Sequence, residues 1–270
     1  MTIHTDSAHT LQKRLEGKVV LVTGGGTGIG RAAALAYARE GAQVALAGRR
    51  SAEIEATASE IIAAGGEALS VVADVSLEED IRRLIAAVIT RYGRLDVAFN
   101  NAGILGNFSP ITQQSSADFD QVIAVNLRGV WLAIKYEIET FLSQNSAGVI
   151  INTSSWLTHG ALAGSSSYSA SKGAIDALIP AVALEYGRRG IRINNINPGI
   201  IETPMAHSSV TDADDFAPFI EHTPVGRMGQ PEDIGDVAVW LATDEARFVT
   251  GQSLLVDGGY TIAGIRRGTA

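Results

Sequence analysis

The chain has 270 residues, 46% of them hydrophobic, with a formal net charge of −8 and no cysteine. This acidity repels polyanions and so excludes nucleic acid and anionic membrane surfaces as partners, leaving soluble small molecules. Without cysteine there is no disulfide, thiolate nucleophile or cysteine metal site, which suits an expected cytoplasmic setting, and the 5 histidines lack ligand spacing so that no metal is expected.

Residues 1–16 lack the apolar stretch of a signal peptide and read as a flexible tail. Residues 17–262 read as one dinucleotide-binding oxidoreductase domain, and residues 263–270 as a C-terminal tail. From residue 18 onward, short β-branched runs alternate with longer Ala-rich amphipathic stretches, the pattern of βαβ units around a parallel sheet. Strands are expected at 18–23, 43–47, 68–73, 95–100, 148–153, 191–196 and 253–256, and helices at 29–40, 52–64, 78–92, 117–142, 168–188 and 231–241. The predicted architecture is α/β: a Rossmann-type, doubly wound parallel sheet with helices on both faces. Residues 203–225, rich in Pro, Asp, Ser and Thr, break the rhythm. They are read as a substrate lid over the carboxyl ends of the strands, where ligands bind in such sheets.

The first strand runs into Thr23-Gly24-Gly25-Gly26-Thr27-Gly28-Ile29-Gly30 and then an Ala-rich helix. Glycines there let the backbone approach a pyrophosphate, and the helix N-terminus offers free N–H groups. After the second strand, where an acid would bind the ribose hydroxyls of NAD, the chain reads Gly48-Arg49-Arg50. A guanidinium in place of the acid favours a 2′-phosphate, hence NADP(H) over NAD(H). The alternative is that both arginines are solvated charges opening the next helix. Asp74 reads either as an acceptor for an adenine amino group or as a turn-capping residue before Ser76.

Further on stand Ser155, Tyr168 and Lys172. In a helix, Tyr168 and Lys172 lie at i and i+4, one turn apart on the same face. Bringing a tyrosine from ~10 to ~7 needs about 4 kcal/mol of preference for the phenolate, which one cation about 4 Å away at an effective dielectric of ~20 supplies. The pair is a proton-transfer candidate.

With Thr23 to Gly30, Asp74-Val75, Asn100-Asn101-Ala102-Gly103, Asn126, Ser155, Tyr168-x-x-x-Lys172 and Pro198-Gly199 in this order, the chain resembles the single-domain short-chain dehydrogenase/reductases over about residues 16 to 260. The resemblance implies that Tyr168 is the general acid in carbonyl reduction and the base in alcohol oxidation. It implies that Ser155, selected over Ser154 by the family's spacing, holds the substrate oxygen. Lys172 would bind the nicotinamide ribose while lowering the pKa of Tyr168, and Asn126 would place a water linking Lys172 to solvent. Cofactor contacts are implied for Gly24, Thr27, Gly28, Ile29, Gly30, Arg49, Asp74, Val75, Asn101, Ala102, Gly103, Tyr168, Lys172, Pro198, Gly199, Ile201 and Thr203. Thr27 departs from the basic residue common at that position in NADP-dependent members. A homotetramer is implied, with a homodimer as the alternative.

Substrate contacts are expected from residues 104–108, 156–164 and 205–223, where Phe108, Trp156, Leu157, Leu162, Met205 and Phe216 accompany His159. No Lys or Arg occurs from residue 136 to 171 or from 193 to 226. A carboxylate or phosphate would want a cationic anchor, so a neutral or cationic ketone or secondary alcohol is expected. Alternatives are an NAD-dependent secondary alcohol dehydrogenase, a 3-oxoacyl reductase, or a non-catalytic dinucleotide-binding regulator.

Overall fold

The computed structural model describes residues 13–208 and 212–262. Strand β1 (Val19–Thr23) is buried along its whole length. Its near-continuous apolar run is what a parallel strand covered on both faces requires. Alternate side chains go to opposite faces. Val20 and Val22 join the core packed under α1 (Gly28–Arg39), α2 (Ser51–Ala63) and α9 (Pro231–Ala242), whereas Val19 and Leu21 join the core under α3 (Glu78–Tyr92), α5 (Gly129–Ser143) and α6 (Ser166–Tyr186).

The remaining strands are β2 (Gln43–Gly48), β3 (Glu67–Val72), β4 (Val97–Asn100), β5 (Gly148–Thr153), β6 (Ile191–Pro198) and β7 (Ser253–Val256). All pair in parallel, in the order β3-β2-β1-β4-β5-β6-β7. The strand order reverses between β1 and β4, which opens the ligand crevice at their carboxyl ends. The Ala-rich face of α1 meets α9 closely: a Cβ on Gly235 would lie 3.1 Å from the Ala33 nitrogen.

Two expectations need correction. The single helix expected over 117–142 is two: α4 (Ser116–Ile123) and α5, joined by a wide π-helical turn, Ala124–Arg128. There the chain passes the Val75 carbonyl, only 2.8 Å from where a Cβ on Gly129 would stand. Residues 14 and 15 are not part of the flexible tail expected over residues 1–16. Leu15 is buried, its N–H donates to the Glu40 carbonyl (2.9 Å), and Arg14 pairs with the Glu40 carboxylate (2.8 Å). Residues 1–12 and the expected tail at 263–270 lie outside the described residues. The segment after β6, read above as a lid, forms two short helices, α7 (Pro204–His207) and α8 (Ala217–His222), with residues 209–211 outside the described residues. No helix among the described residues is long and apolar enough to cross a membrane.

Candidate active site

The glycine turn is shaped by what a side chain would strike. Gly24 has φ +68°, and a Cβ there would meet Asn101 Nδ2 at 2.9 Å; a Cβ on Gly30 would lie 2.2 Å from the Gly24 carbonyl oxygen. Gly28 (φ +52°) faces the methyl of Thr203, 3.1 Å from a Cβ at that position, so the segment after β6 closes over the turn. Thr27 precedes α1 without capping it by its side chain, which leaves the first N–H groups of a 12-residue helix available to an anion. Thr23 completes the floor: its Oγ1 accepts from the N–H groups of Asn101 (3.0 Å) and Ala102 (3.1 Å). These residues fit a dinucleotide pyrophosphate.

Arg50 pairs with Glu53 (2.5 Å) and reaches the Thr27 hydroxyl (3.5 Å). Arg49 is exposed and has no side-chain partner among the described residues. Asp74 Oδ1 accepts from both the N–H and the hydroxyl of Ser76, 2.9 and 2.7 Å, so the turn-capping reading holds for that oxygen; Oδ2 has no such bond. Gly199 passes Asp257, with 2.7 Å from its would-be Cβ to the Asp257 Cα, a close approach that needs glycine whatever the ligand. Ile201 is buried in the core, and its carbonyl accepts from the Thr203 hydroxyl at 3.3 Å. Thr203 caps α7, accepting from the Ala206 N–H at 3.1 Å.

Ser155 stands at the exit from β5, where its hydroxyl accepts from the Leu157 N–H at 3.2 Å and lies close enough to the Tyr168 phenol to lower its pKa. The neighbouring Ser154 instead donates to the Lys172 carbonyl (3.3 Å), on the far side. Lys172, 3% exposed, donates from Nζ to the Thr153 carbonyl at 2.7 Å and stands 5.7 Å from the centroid of the Tyr168 ring. A Cβ on Gly103 would lie 3.6 Å from that ammonium and 3.3 Å from Asn126 Oδ1; bare backbone keeps the space open. Asn126 sits in the wide turn, the kind of helix irregularity that gathers at functional sites. It is fully buried, and its amide brackets Ile104, accepting from the N–H and donating to the carbonyl, each at 2.8 Å.

The electrostatics differ from expectation. Burial pushes the Tyr168 phenol up to about 12, opposed by the Ser155 hydrogen bond, and pushes Lys172 down to about 8, opposed by Asp176. Burial is the largest influence on the phenol, the lowering comes from Ser155, and the Lys172 ammonium is directed at a backbone carbonyl. At neutral pH the site presents a neutral phenol and a charged amine, both proton donors.

Beneath these residues runs a buried polar chain that the motifs did not reveal. Asn100 Nδ2 donates to Glu137 (3.1 Å) and to Asn152 (3.1 Å), and Asn152 donates to Asn195 (3.0 Å). Burial pushes the Glu137 carboxyl up to about 8, opposed by the Asn100 bond, so it is protonated at neutral pH. The signal was available in Asn195 and Asn197, amides two apart on the face of β6 that begins with Ile191 and Ile193.

Around the cleft, Phe108 stands 6.0 Å from the Tyr168 ring, and Leu162 and Met205 stay exposed. Three residues expected to line the pocket are buried: Trp156 and Phe216, each 5% exposed, and Leu157, 7% exposed. Trp156 packs edge-on against Tyr260 (4.8 Å between centroids), and Tyr260 in turn meets Phe219 (6.1 Å) and His222 (5.0 Å) of α8. His159 is exposed and bonded to the Thr158 hydroxyl at 2.9 Å.

Fold and site together define a dinucleotide-dependent oxidoreductase. A family model described as enoyl-(acyl carrier protein) reductase matches residues 24–261. The chain belongs to the short-chain dehydrogenase/reductase family, single-domain type, whose members act on alcohols and ketones. It is 38% identical to levodione reductase of Leifsonia aquatica over 93% of this chain and 96% of that one, and the crystal structure of levodione reductase superposes with a TM-score of 0.88 over 93% of this chain and 100% of that one. Cyclohexanol dehydrogenase of Acinetobacter sp. (strain SE19) is 36% identical over 93% of this chain and 98% of its own. A 3-ketoacyl-(acyl-carrier-protein) reductase from Brucella melitensis, solved in complex with NADH, is 34% identical with a TM-score of 0.84 over 92% of this chain and 99% of that one.

Proposed function

We propose that this protein reversibly reduces a neutral ketone to a secondary alcohol with NADP(H), with Tyr168 as general acid. The observation that carries the reading is the convergence of the Ser155 hydroxyl, the Tyr168 phenol and the Lys172 ammonium beside a glycine turn that fits a pyrophosphate. The dinucleotide, when bound, supplies the hydride. Gly24, Thr27, Gly28, Ile29 and Gly30 hold its phosphates, Asp74 and Val75 flank its adenine, and Asn101, Ala102, Gly103, Pro198, Gly199, Ile201 and Thr203 line the remainder.

Tyr168 passes its phenolic proton to the carbonyl oxygen as negative charge develops there, and Ser155 donates a hydrogen bond to the same oxygen. Lys172 holds the ribose and places positive charge near the phenol. Asn126 holds the Ile104 backbone and a water on the path from Lys172 to solvent. In the reverse direction the phenolate takes the proton from the alcohol, so oxidation rises with pH.

Arg49 supports NADP(H): it is an unpaired guanidinium after β2, where an acid would select NAD(H). NADH bound in the Brucella protein favours a second reading, an NAD-dependent alcohol dehydrogenase. The absence of Lys and Arg from residues 136–171 and 193–226 supports an uncharged substrate, and a relative named for cyclohexanol supports a cyclic one. A homotetramer in the cytoplasm fits Trp131 (49% exposed) on α5 and Leu184 (86%) on α6 as apolar side chains left for a second copy.

The test is dinucleotide oxidation at 340 nm with NADPH and NADH against cyclohexanones, open-chain ketones and keto acids. Turnover of a neutral cyclic ketone that prefers NADPH is expected. Faster turnover of a keto acid than of its neutral ester would overturn the substrate assignment, and equal or better use of NADH would overturn the cofactor assignment.

A further inference from the structure

Asp176 lies on α6, one turn beyond Lys172 and on the same face. Both its oxygens are engaged: Oδ1 accepts from Asn195 Nδ2 and Oδ2 from Asn197 Nδ2, each at 2.8 Å. Asn195 and Asn197 are fully buried. A carboxylate only accepts, so Asp176 decides which end of each amide faces it. The consequence falls on Asn197, whose Nδ2 also lies 3.2 Å from the Ser155 carbonyl and 2.8 Å from the Thr158 hydroxyl. Were Asn197 reversed, its oxygen would meet the carboxylate and Asp176 Oδ2 would lose its donor, while the Ser155 carbonyl would keep only the Thr158 hydroxyl (3.0 Å) and N–H (3.2 Å). The exit from β5 is thus gripped twice, Thr153 by Lys172 and Ser155 by Asn197.

We propose that Asp176 is a positioning residue for the reaction: its carboxylate balances the buried ammonium of Lys172 and, through Asn197, fixes the Ser155 backbone that aims the Ser155 hydroxyl at Tyr168. This rests on the roles given above to Ser155, Tyr168 and Lys172. The titratable groups facing Lys172 are Tyr168 and Asp176, both on α6. The other elements against it contribute Thr153 from β5, Asn126 from the wide turn and Gly103 after β4, none of which titrates. Burial disfavours the charged amine and Asp176 is the group opposing it, so removing the charge lets burial prevail.

The chain has four lysines, and the other three, Lys13, Lys18 and Lys135, are exposed. The titration of Lys172 is therefore readable from 13Cε resonances of lysine-labelled protein without substrate or dinucleotide. In Asp176→Asn its midpoint falls by about one pH unit below the native value. Asp176→Ser, uncharged and smaller, carries the same measurement if the first variant does not fold. An unmoved midpoint in the folded variant overturns the proposal. Asn197→Ala keeps the Asp176 charge, so its Lys172 midpoint stays at the native value while kcat for ketone reduction falls about tenfold with KM for the dinucleotide little changed. Native kcat in Asn197→Ala overturns the link to Ser155. If native protein reduces no ketone, the functional assignment fails while the lysine titration still decides the role of Asp176.

Discussion

The two ends of the ligand crevice are built by opposite means. At β1 and α1 the surface is made by leaving side chains out: Gly24, Gly28 and Gly30 stand where a Cβ would meet Asn101, Thr203 or the Gly24 carbonyl. At β5 and β6 it is made by putting polar side chains in, with Lys172, Asn126, Asn195 and Asn197 all almost or wholly buried. A phosphate carries full charge and can be held by backbone N–H groups and a helix dipole. A developing alkoxide exists only during reaction, so donors must be fixed in advance, and each buried donor needs partners of its own.

The sharpest break of this contrast is Tyr168→Phe, which removes one hydroxyl from the side-chain-built end. Ketone reduction falls roughly 10²–10⁴-fold, while dinucleotide binding, followed by fluorescence titration, stays near native. Gly30→Ala probes the other end. The added methyl must displace the Gly24 carbonyl, which would sit 2.2 Å away. Unfolding in urea then shows a loss of about 1–3 kcal/mol, with weakened dinucleotide binding.

Glu137→Gln sharpens the comparison from beneath. The folded-state value of about 8 lies above the ordinary carboxylate value of 4.5, so the native state holds a proton that the unfolded chain releases. Stability from this group is full below about 4.5 and is lost as pH rises through about 8. The glutamine is neutral throughout, so the variant gains about 1–3 kcal/mol over native protein at pH 9 and nothing at pH 4, read by thermal or urea unfolding at both pH values. An equal difference at both pH values would show that Glu137 is ionised in the fold. The smallest effect is expected for Arg49→Ala: KM for NADPH rises about tenfold, while KM for NADH moves by less than about twofold.

Most of the architecture was legible because period and punctuation agree. The strands Gly148–Thr153 and Ser253–Val256 and the helix Glu78–Tyr92 stand at the expected bounds. The break in 117–142 was not legible, because a wide turn needs no proline and leaves the apolar pattern continuous through Val125 and Leu127. The site residues gather as the spacing of Ser155, Tyr168 and Lys172 required, since i and i+4 on one helix is a local relation. Direction of the pKa shift was beyond sequence: it depends on how deeply Tyr168 and Lys172 are buried, which β5, β6 and the wide turn decide together. Trp156 likewise reads as a pocket residue from its place beside Ser155, yet the distant Tyr260 covers it.

That cover has an optical consequence. The chain has 3 tryptophans, and only Trp156 adjoins Ser155 while touching a residue, Tyr260, that also packs on Phe219 and His222. With Trp131 and Trp240 replaced by phenylalanine, the emission of the remaining indole becomes a built-in gauge of how that aromatic stack sits, readable in real time as ligands come and go.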